Sequence, residues 1–517
     1  MPEAQLSVLD APREIAAIDI GSNSVRLVLY RLEGRAIWTV FNEKVLAGLG
    51  RDLSVTGQLS PDGAEQALTA LKRFAAVIDG VKPMQTFVAA TAAIREAEDG
   101  QAFCEKVAAE TGLIIRVLSG EEEANYAALG VLAGIPDARG VAADLGGASL
   151  ELSRVEDGAV ARGITLPLGP FTLEDKAGFD ADRLRQTIAR RLEPAADFRS
   201  DTLYAVGGAW RTLAQVHMNH NRYPLQIVHQ YELRATEAKL IAQVVARSSR
   251  ASLEKWPGVS KKRAETLPYA ALVLEGLIDH LGLERIVISA WGVREGLLYE
   301  TLDPETAQSD PLLAGCSALG ARQGISPGLP GALFGWIRPI LEALPEAFGQ
   351  DRDLVLADAA CRVADLGARL HPDHRVELAF GQVLRAPIPG QSHAERAYLA
   401  SAVNARYGGG ANTPEPNTVG RLLTEEQRTG ARALGLAIRL ACDLSGRAPQ
   451  LLVNARVKIE GGALVLTASD GYADVLLGEQ TRRRGKALAE IMGLKLDLQG
   501  RGDDHGGDRN RRLLLPL

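Results

Sequence analysis

Residues 17–24 read Ala17-Ile18-Asp19-Ile20-Gly21-Ser22-Asn23-Ser24, and residues 143–149 read Ala143-Asp144-Leu145-Gly146-Gly147-Ala148-Ser149. Asp19, Gly21 and Ser24 align with Asp144, Gly146 and Ser149. Each copy follows an apolar, β-prone run (Ile15 to Ile20; Val141 to Leu145) and leads into a second (Val25 to Leu32; Leu150 to Val155) that stops at Gly34 or Gly158. Two strand–turn–strand units with Asp-x-Gly-x-x-Ser in the turn predict a duplicated α/β protein whose two loops face one cleft. Glycine lets such a turn run at positive φ and approach a ligand closely, while the turn N–H groups and the Ser hydroxyl offer donors to phosphate oxygens. A carboxylate that close to phosphate calls for a cation, so Asp19 and Asp144 point to Mg2+. A polar hairpin explains one such loop well, and two in register poorly.

One difference between the copies is informative: Arg26 aligns with Glu151. Strand alternation puts Ser149 and Glu151 on one face, so Glu151 joins Asp144 as a candidate metal ligand. Taken alone, Glu151 reads equally well as a solvated strand position. Thr91-Ala92-Ala93-Ile94-Arg95 follows an expected buried strand at Gln85–Ala90, and a guanidinium at a strand's C-terminal end suits a phosphate site. An ion pair with Glu96 or Glu98 is the plainer reading of Arg95. Ser119-Gly120 and the acids Glu121, Glu122 and Glu123 open a helix running to Leu132. They complement its dipole, and in a hydrolase such a carboxylate can also orient water. Gly207-Gly208 marks a strand–turn–helix junction that offers close backbone approach and a helix N-terminus to an anion.

Further elements follow from periodicity and punctuation. In the first half these are a strand at Arg35–Leu46, a helix after Ser60-Pro61 with Ser60 as N-cap, a helix at Glu96–Thr111 and a strand at Ile114–Leu118. The second half gives a helix at 179–194, a strand at Leu203–Val206, a helix at 265–281, a strand at Arg285–Ser289 and a helix from Val293. Residues 310–445 are rich in Ala and Leu with a 3.6-residue period, for example Leu341 to Ala347, Leu354 to Leu370, Ala394 to Ala405 and Glu425 to Leu444. A hairpin around Gly461-Gly462 and a helix at Arg482–Met492 follow. The tail, Gly500 to Arg512, is charged and Gly-rich and reads as mobile. The expected division is residues 1–135 and 136–305 as two lobes, 306–447 as a helical domain and 448–517 as a small α+β domain.

At 517 residues, 46% hydrophobic and 24% charged, the chain is globular and too long for one core. A net charge of −6 gives no global attraction to nucleic acid or membrane, so a polyanion must be held by a local basic patch. Cys104, Cys316, Cys361 and Cys442 form no CxxC pair, which fits a reducing cytoplasm. Met1 to Arg13 has no apolar signal core, and no apolar run approaches the length of a membrane span.

Taken together, Asp19-Ile20-Gly21-Ser22-Asn23-Ser24, Thr91-Ala92-Ala93-Ile94-Arg95, Ser119-Gly120-Glu121-Glu122-Glu123-Ala124, Asp144-Leu145-Gly146-Gly147-Ala148-Ser149-Leu150-Glu151 and Gly292-Val293-Arg294-Glu295-Gly296-Leu297 resemble the exopolyphosphatase/guanosine-pentaphosphate phosphohydrolase family of the actin-like/sugar-kinase superfamily. The resemblance implies two ribonuclease-H-like lobes around a central cleft. It implies hydrolysis of a terminal phosphoanhydride, with Glu123 as catalytic base and Arg95 stabilising the transferring charge. Asp144 and Glu151, with Asp19, would be metal-associated acids, and Gly21, Ser22, Asn23, Ser24 and Gly146, Gly147, Ala148, Ser149 the phosphate grip. Mg2+ is the implied cofactor, with Mn2+ or a monovalent cation such as K+ as further possibilities. The implied substrate is inorganic polyphosphate, the implied assembly a homodimer. Guanosine pentaphosphate hydrolysis, an ATP-using kinase with adenine near Gly207-Gly208, and a non-catalytic polyphosphate or alarmone sensor are the alternatives.

Some positions depart from the family pattern. Ala148 replaces a usual Gly, which adds a methyl to a turn expected to need positive φ, and Leu150 replaces a usual Thr. The segment Arg263-Ala264-Glu265-Thr266-Leu267-Pro268-Tyr269 is altered, which leaves its role open. Residues 310–445 resemble an HD-like domain in which Ala364-Asp365 replaces the metal-binding pair. His371-Pro372-Asp373-His374 reads as a loop, and Arg482-Arg483-Arg484 with Lys486 as a solvated helix face or a polyanion contact.

Overall fold

The computed structural model describes residues 12–174 and 178–500, so the charged tail beyond Gly500 and the first eleven residues lie outside the described residues. The chain divides into two compact units, Met1–Gly315 with Pro387–His393, and Cys316–Ala386 with Ala394–Leu517.

In the first unit the duplication is written into two sheets. β1 (Arg13–Ile20), β2 (Val25–Glu33), β3 (Ala36–Val45), β4 (Gln85–Ala90) and β5 (Arg116–Val117) form one sheet in the order β3-β2-β1-β4-β5. β6 (Gly140–Leu145), β7 (Leu150–Glu156), β8 (Ala159–Leu166), β9 (Thr202–Val206), β10 (Glu232–Arg234) and β11 (Arg285–Ile288) form the other, in the order β10-β11-β9-β6-β7-β8. In each, the first three strands are an antiparallel meander and the next strand joins the first in parallel. The carboxyl end of the central strand therefore meets a strand–helix junction, where doubly wound sheets place their ligands.

Helices cover the sheets with regular apolar stripes. In helix Pro61–Val81, Ala67, Leu68, Leu71 and Phe74 are buried at helical spacing. Helix Gly120–Gly134 starts with a capping box, in which Ser119 accepts from Glu122 N–H and Glu122 from Ser119 N–H. It packs closely on helix Val293–Tyr299: a Cβ at Gly130 would lie 2.1 Å from Gly292 O, and one at Gly296 1.9 Å from Tyr126 O.

Several expectations are corrected. The helix expected at 96–111 is two, Ala92–Glu96 and Gly100–Thr111, because the chain folds back so tightly that a Cβ at Gly100 would lie 2.1 Å from Ile94 O. The strand expected at 114–118 pairs only over Arg116–Val117, and only the second half of β4 is buried. Ser60 occupies the N-cap position without a side-chain bond. The periodicity at 341–347 is not helical, since helix Gly328–Leu341 ends there. β8, helix Ala235–Arg247 and β14 escaped the sequence reading.

The second unit is mainly helical, with a long buried helix at Glu425–Ser445. β12 (Ala455–Glu460) and β13 (Ala463–Ala468) form the hairpin expected at Gly461-Gly462, and β14 (Lys495–Gly500) adds in parallel to β13. Trp336 Nε1 donates to Ala455 O at 2.9 Å and ties helix Gly328–Leu341 to this sheet. Arg484 is held by Asp443 at 2.7 Å, whereas Arg482 and Arg483 are exposed. Among the described residues no helix is long and apolar enough to cross a membrane.

Candidate functional site

The two turns match down to single hydrogen bonds. Gly21 N–H donates to Ser24 O at 3.0 Å, and Gly146 N–H to Ser149 O at 3.0 Å. The next two carbonyls are tied back in both copies: Ser22 O and Asn23 O accept from Gly50 and Gly48, and Gly147 O and Ala148 O from Phe171 and Gly169. The N–H groups of Ser22, Asn23, Gly147 and Ala148 have no backbone acceptor among the described residues. Donors left open on tight turns make an oxyanion cradle.

Positive φ is not what these turns need. Gly21, Gly146 and Gly147 all avoid it. Gly147 is required for space, since a Cβ there would lie 2.9 Å from Ser22 Cβ and 3.3 Å from the Phe171 ring. Ala148 also avoids positive φ, so its methyl brings no backbone strain. Leu150 packs in the core of the second lobe, on the strand face away from Ser149 and Glu151. Gly207 does need glycine: its φ is 111° and a Cβ would lie 2.6 Å from Leu145 O.

Strand register aligns the chemistry into two rows. Asp19 on β1 pairs with Arg26 on β2, which pairs with Lys44 on β3. Asp144 on β6 pairs with Glu151 on β7, which pairs with Thr165 on β8. One row runs acid–cation–cation, the other acid–acid–hydroxyl. Lys44 reaches its place through a bulge at Leu29/Tyr30 that leaves Val40 unpaired.

The cleft is lined by Gly21, Ser22, Asn23, Ser24, Gly146, Gly147, Ser149, Gly207 and Gly208, by the acids Asp19, Glu123 and Asp144, and by five cations, Arg26, Lys44, Arg211, Arg263 and Arg294. The cations outnumber the acids and crowd one another. Burial, Arg294 and Arg211 push Arg26 down to about 10. Burial, Arg263, Arg26 and Arg211 push Lys44 down to about 8, against Asp19. Arg211 is lowered by burial and then by Arg294, and Arg263 by burial. Arg294 alone is held firmly charged: Glu295, Tyr30 and Asp19 outweigh its burial. Tyr30 Oη donates to Glu295 Oε1 at 2.5 Å, Gly292 N–H donates to Glu295 Oε2 at 2.9 Å, and Arg294 Nη1 reaches Asp19 Oδ2 at 3.4 Å.

The acids are pushed the other way. Glu123, 6% exposed, is raised to about 7 by burial, with Arg95 opposing and Asp144 and Asp19 adding to the rise. Asp144 is raised to about 6 by burial and Asp19, against Arg211 and Arg294. Glu151, 1% exposed, is raised by burial and by Glu123, and neither carboxylate oxygen has a hydrogen-bond partner. Arg95 and Glu151 do not line the cleft; they stand behind Glu123. Arg95 Nη1 donates to both Leu118 O and Glu123 Oε2 at 2.9 Å.

Among the described residues no three acids, histidines or cysteines converge to hold a metal by themselves. Asp19, Asp144 and Glu151 are therefore not a closed protein cage. They suit Mg2+ nonetheless, because that ion is usually held by one or two carboxylates plus waters and substrate phosphates. The two orphaned oxygens of Glu151 are also buried acceptors that want a proton or a cation.

Four cations of the cleft went unassigned in the sequence. Arg294 lies in a motif quoted for the resemblance, and Arg211 one turn into the helix after Gly208. Arg263 sits in the altered segment whose role was open: that segment puts a guanidinium against Gly208, where a Cβ would meet Arg263 Nη2 at 2.7 Å. Lys44 had no sequence signal, because the bulge sets its register.

The chain is similar to known proteins. The Ppx/GppA phosphatase family matches residues 28–305, and a family described as "Exopolyphosphatase, C-terminal" matches residues 348–499. Exopolyphosphatase 1 of Mycobacterium tuberculosis is 27% identical over 310 residues, covering 56% of this chain and 89% of that protein. Retrograde regulation protein 2 of Saccharomyces cerevisiae is 26% identical over 446 residues, covering 77% and 73%. The crystal structure of an exopolyphosphatase from Cytophaga hutchinsonii has a TM-score of 0.52 at 22% identity, covering 56% of this chain and 98% of that one, and shares the fold.

Proposed function

The chain belongs to the Ppx/GppA phosphatase family, and from that premise we propose that it is an exopolyphosphatase, releasing orthophosphate from the end of inorganic polyphosphate. The observation that carries this reading is the crowd of five cations around two open-amide turns. Burial first, and for Arg26, Lys44 and Arg211 also their cationic neighbours, depress the proton affinity of four of the five, Arg26, Lys44, Arg211 and Arg263; a chain carrying a charge on every phosphate offsets that cost better than a single anion does.

In the proposed mechanism the turns 21–24 and 146–149 hold the terminal phosphate through N–H and hydroxyl donors. Arg26, Lys44, Arg211 and Arg263 neutralise the neighbouring phosphates. Glu123, poised near neutrality, takes a proton from the attacking water, and Arg95 keeps its carboxylate oriented. Arg294 braces Asp19. Asp144 and Asp19 would hold Mg2+ together with phosphate oxygens, with Glu151 behind them. When bound, Mg2+ would neutralise charge developing on the phosphoryl oxygens. Burial of Glu123 speaks for hydrolysis over phosphoryl transfer to a second substrate, because it supplies a base for water. We further propose a cytoplasmic location, a homodimer, and the four-part division at 135, 305 and 447.

The test is orthophosphate release from long-chain polyphosphate, guanosine pentaphosphate and ATP, each with and without Mg2+. The reading expects Mg2+-dependent release fastest from polyphosphate. Fastest release from guanosine pentaphosphate would transfer the assignment to that substrate.

A further inference from the structure

In the second unit, the resemblance led to the expectation that a metal-binding pair had been replaced by Ala364-Asp365. The cavity beside that position is lined by Asp365, Arg375, Arg406, Tyr407, Asp443 and Arg447 among others. Asp365 there faces guanidinium groups: Arg406 Nη2 at 3.6 Å and Arg447 Nη1 at 3.3 Å. Asp443 is already held by Arg484 at 2.7 Å and approached by Arg439 at 3.9 Å. Four arginines therefore share two carboxylates, and Arg375 lines the same cavity. Arg406 is only 7% exposed, yet its Nε has no hydrogen-bond partner; the buried Nε of Arg375 has none either. Tyr407 Oη accepts from Gly367 N–H at 2.8 Å, which leaves its own proton to donate.

Buried guanidinium donors left unpaired are costly, and the surplus positive charge excludes a cation as the missing partner. A tetrahedral dianion offers several acceptor oxygens to donors arriving from different sides, and guanidinium is the side chain that best matches it. We propose that this cavity is a second anion site, separate from the cleft, that binds a phosphoryl oxyanion through Arg375, Arg406 and Arg447. The inference does not rest on the hydrolase reading, because it concerns binding in another unit by residues the mechanism does not use. The ligand chemistry is a phosphate group, supplied either as free orthophosphate or as the end of a longer phosphate chain.

Equilibrium dialysis of labelled orthophosphate and, in a parallel arm, tripolyphosphate against the full chain in EDTA tests this. The wild type is expected to bind at two places. The double substitution R375Q/R447Q, which spares buried Arg406, is expected to weaken one of them at least tenfold. The cleft substitution Arg263→Gln is expected to weaken only the other. Should the double variant fail to fold, as judged by circular dichroism, R375Q alone carries the same expectation. Orthophosphate binding as tight as tripolyphosphate at the Arg375-dependent place identifies free phosphate as the ligand; tighter tripolyphosphate identifies a chain end. Unchanged stoichiometry and affinity in R375Q/R447Q, or a single wild-type place abolished by Arg263→Gln, overturns the proposal.

Discussion

Arg95 Nη1 donates to Glu123 Oε2 at 2.9 Å from behind the cleft wall, while Glu123 lines the cleft and Arg95 does not. In the proposed mechanism this makes Arg95 a positioning residue, which aims the carboxylate and opposes the burial that raises it to about 7. Arg95→Gln removes the opposition, so Glu123 should hold its proton to higher pH. The acid limb of the kcat/KM profile, where activity falls as Glu123 protonates, should move upward, with a loss of about 10- to 100-fold at pH 7. A pH–rate profile unchanged in shape and position would assign Arg95 no influence on Glu123.

Glu151 gives a prediction about stability. Its folded-state affinity for a proton is raised above that of the unfolded chain. Folding is therefore least penalised below the unfolded carboxylate range and loses stability as pH rises from there through the folded value. Glu151→Gln should remove that loss and stabilise the protein by roughly 1–3 kcal/mol at pH 8 in EDTA, with little effect at pH 4. Thermal denaturation at the two pH values checks this, and a variant less stable at pH 8 would contradict it.

Lys44 is held near 8 in the free protein. As pH rises through that value the cleft loses a cation, and kcat/KM for polyphosphate should fall. Lys44→Arg, which stays charged, should abolish that limb, and Lys44→Gln should raise KM about tenfold at pH 7. Initial rates across pH 6.5–9.5 distinguish the three proteins.

Gly147→Ala should do damage through lack of space and not through backbone strain, and Ala148→Gly should bring none of the relief that a glycine-turn rule suggests. Gly147→Ala would set a methyl 2.9 Å from Ser22 Cβ and force the two phosphate turns apart, lowering kcat/KM by about 100-fold. Ala148→Gly relieves no strain and should cost about 1 kcal/mol of stability or less, with activity kept. Paired kinetics and denaturation on the two variants read this out.

The duplication was legible in the sequence because strand alternation and a repeated Asp-x-Gly-x-x-Ser are local signals. The matching of Arg26 with Glu151 carries over to the structure, where each pairs with the aspartate of the preceding strand. Lys44 was not legible. A strict two-residue ladder from the Glu33/Ala36 end would have set Glu43 beside Arg26, and the bulge that leaves Val40 unpaired and 60% exposed sets Lys44 there instead. Glu43 turns outward to Arg73 at 2.7 Å. One unpaired residue thus decides whether an acid or a cation enters the row, and only the three-dimensional ladder reveals it. Arg211 and Arg263 were missed for a related reason: each stands on a helix whose approach to the cleft is set by packing of the second lobe's core rather than by any motif.

The central claim is that a buried glutamate at the start of helix Gly120–Gly134 turns a phosphate clamp into a hydrolase. The direct test is orthophosphate release from long-chain polyphosphate with Mg2+ by wild type and Glu123→Gln, alongside polyphosphate binding by both. The account predicts a loss of at least about 100-fold in kcat with binding retained. Full activity in Glu123→Gln would contradict it.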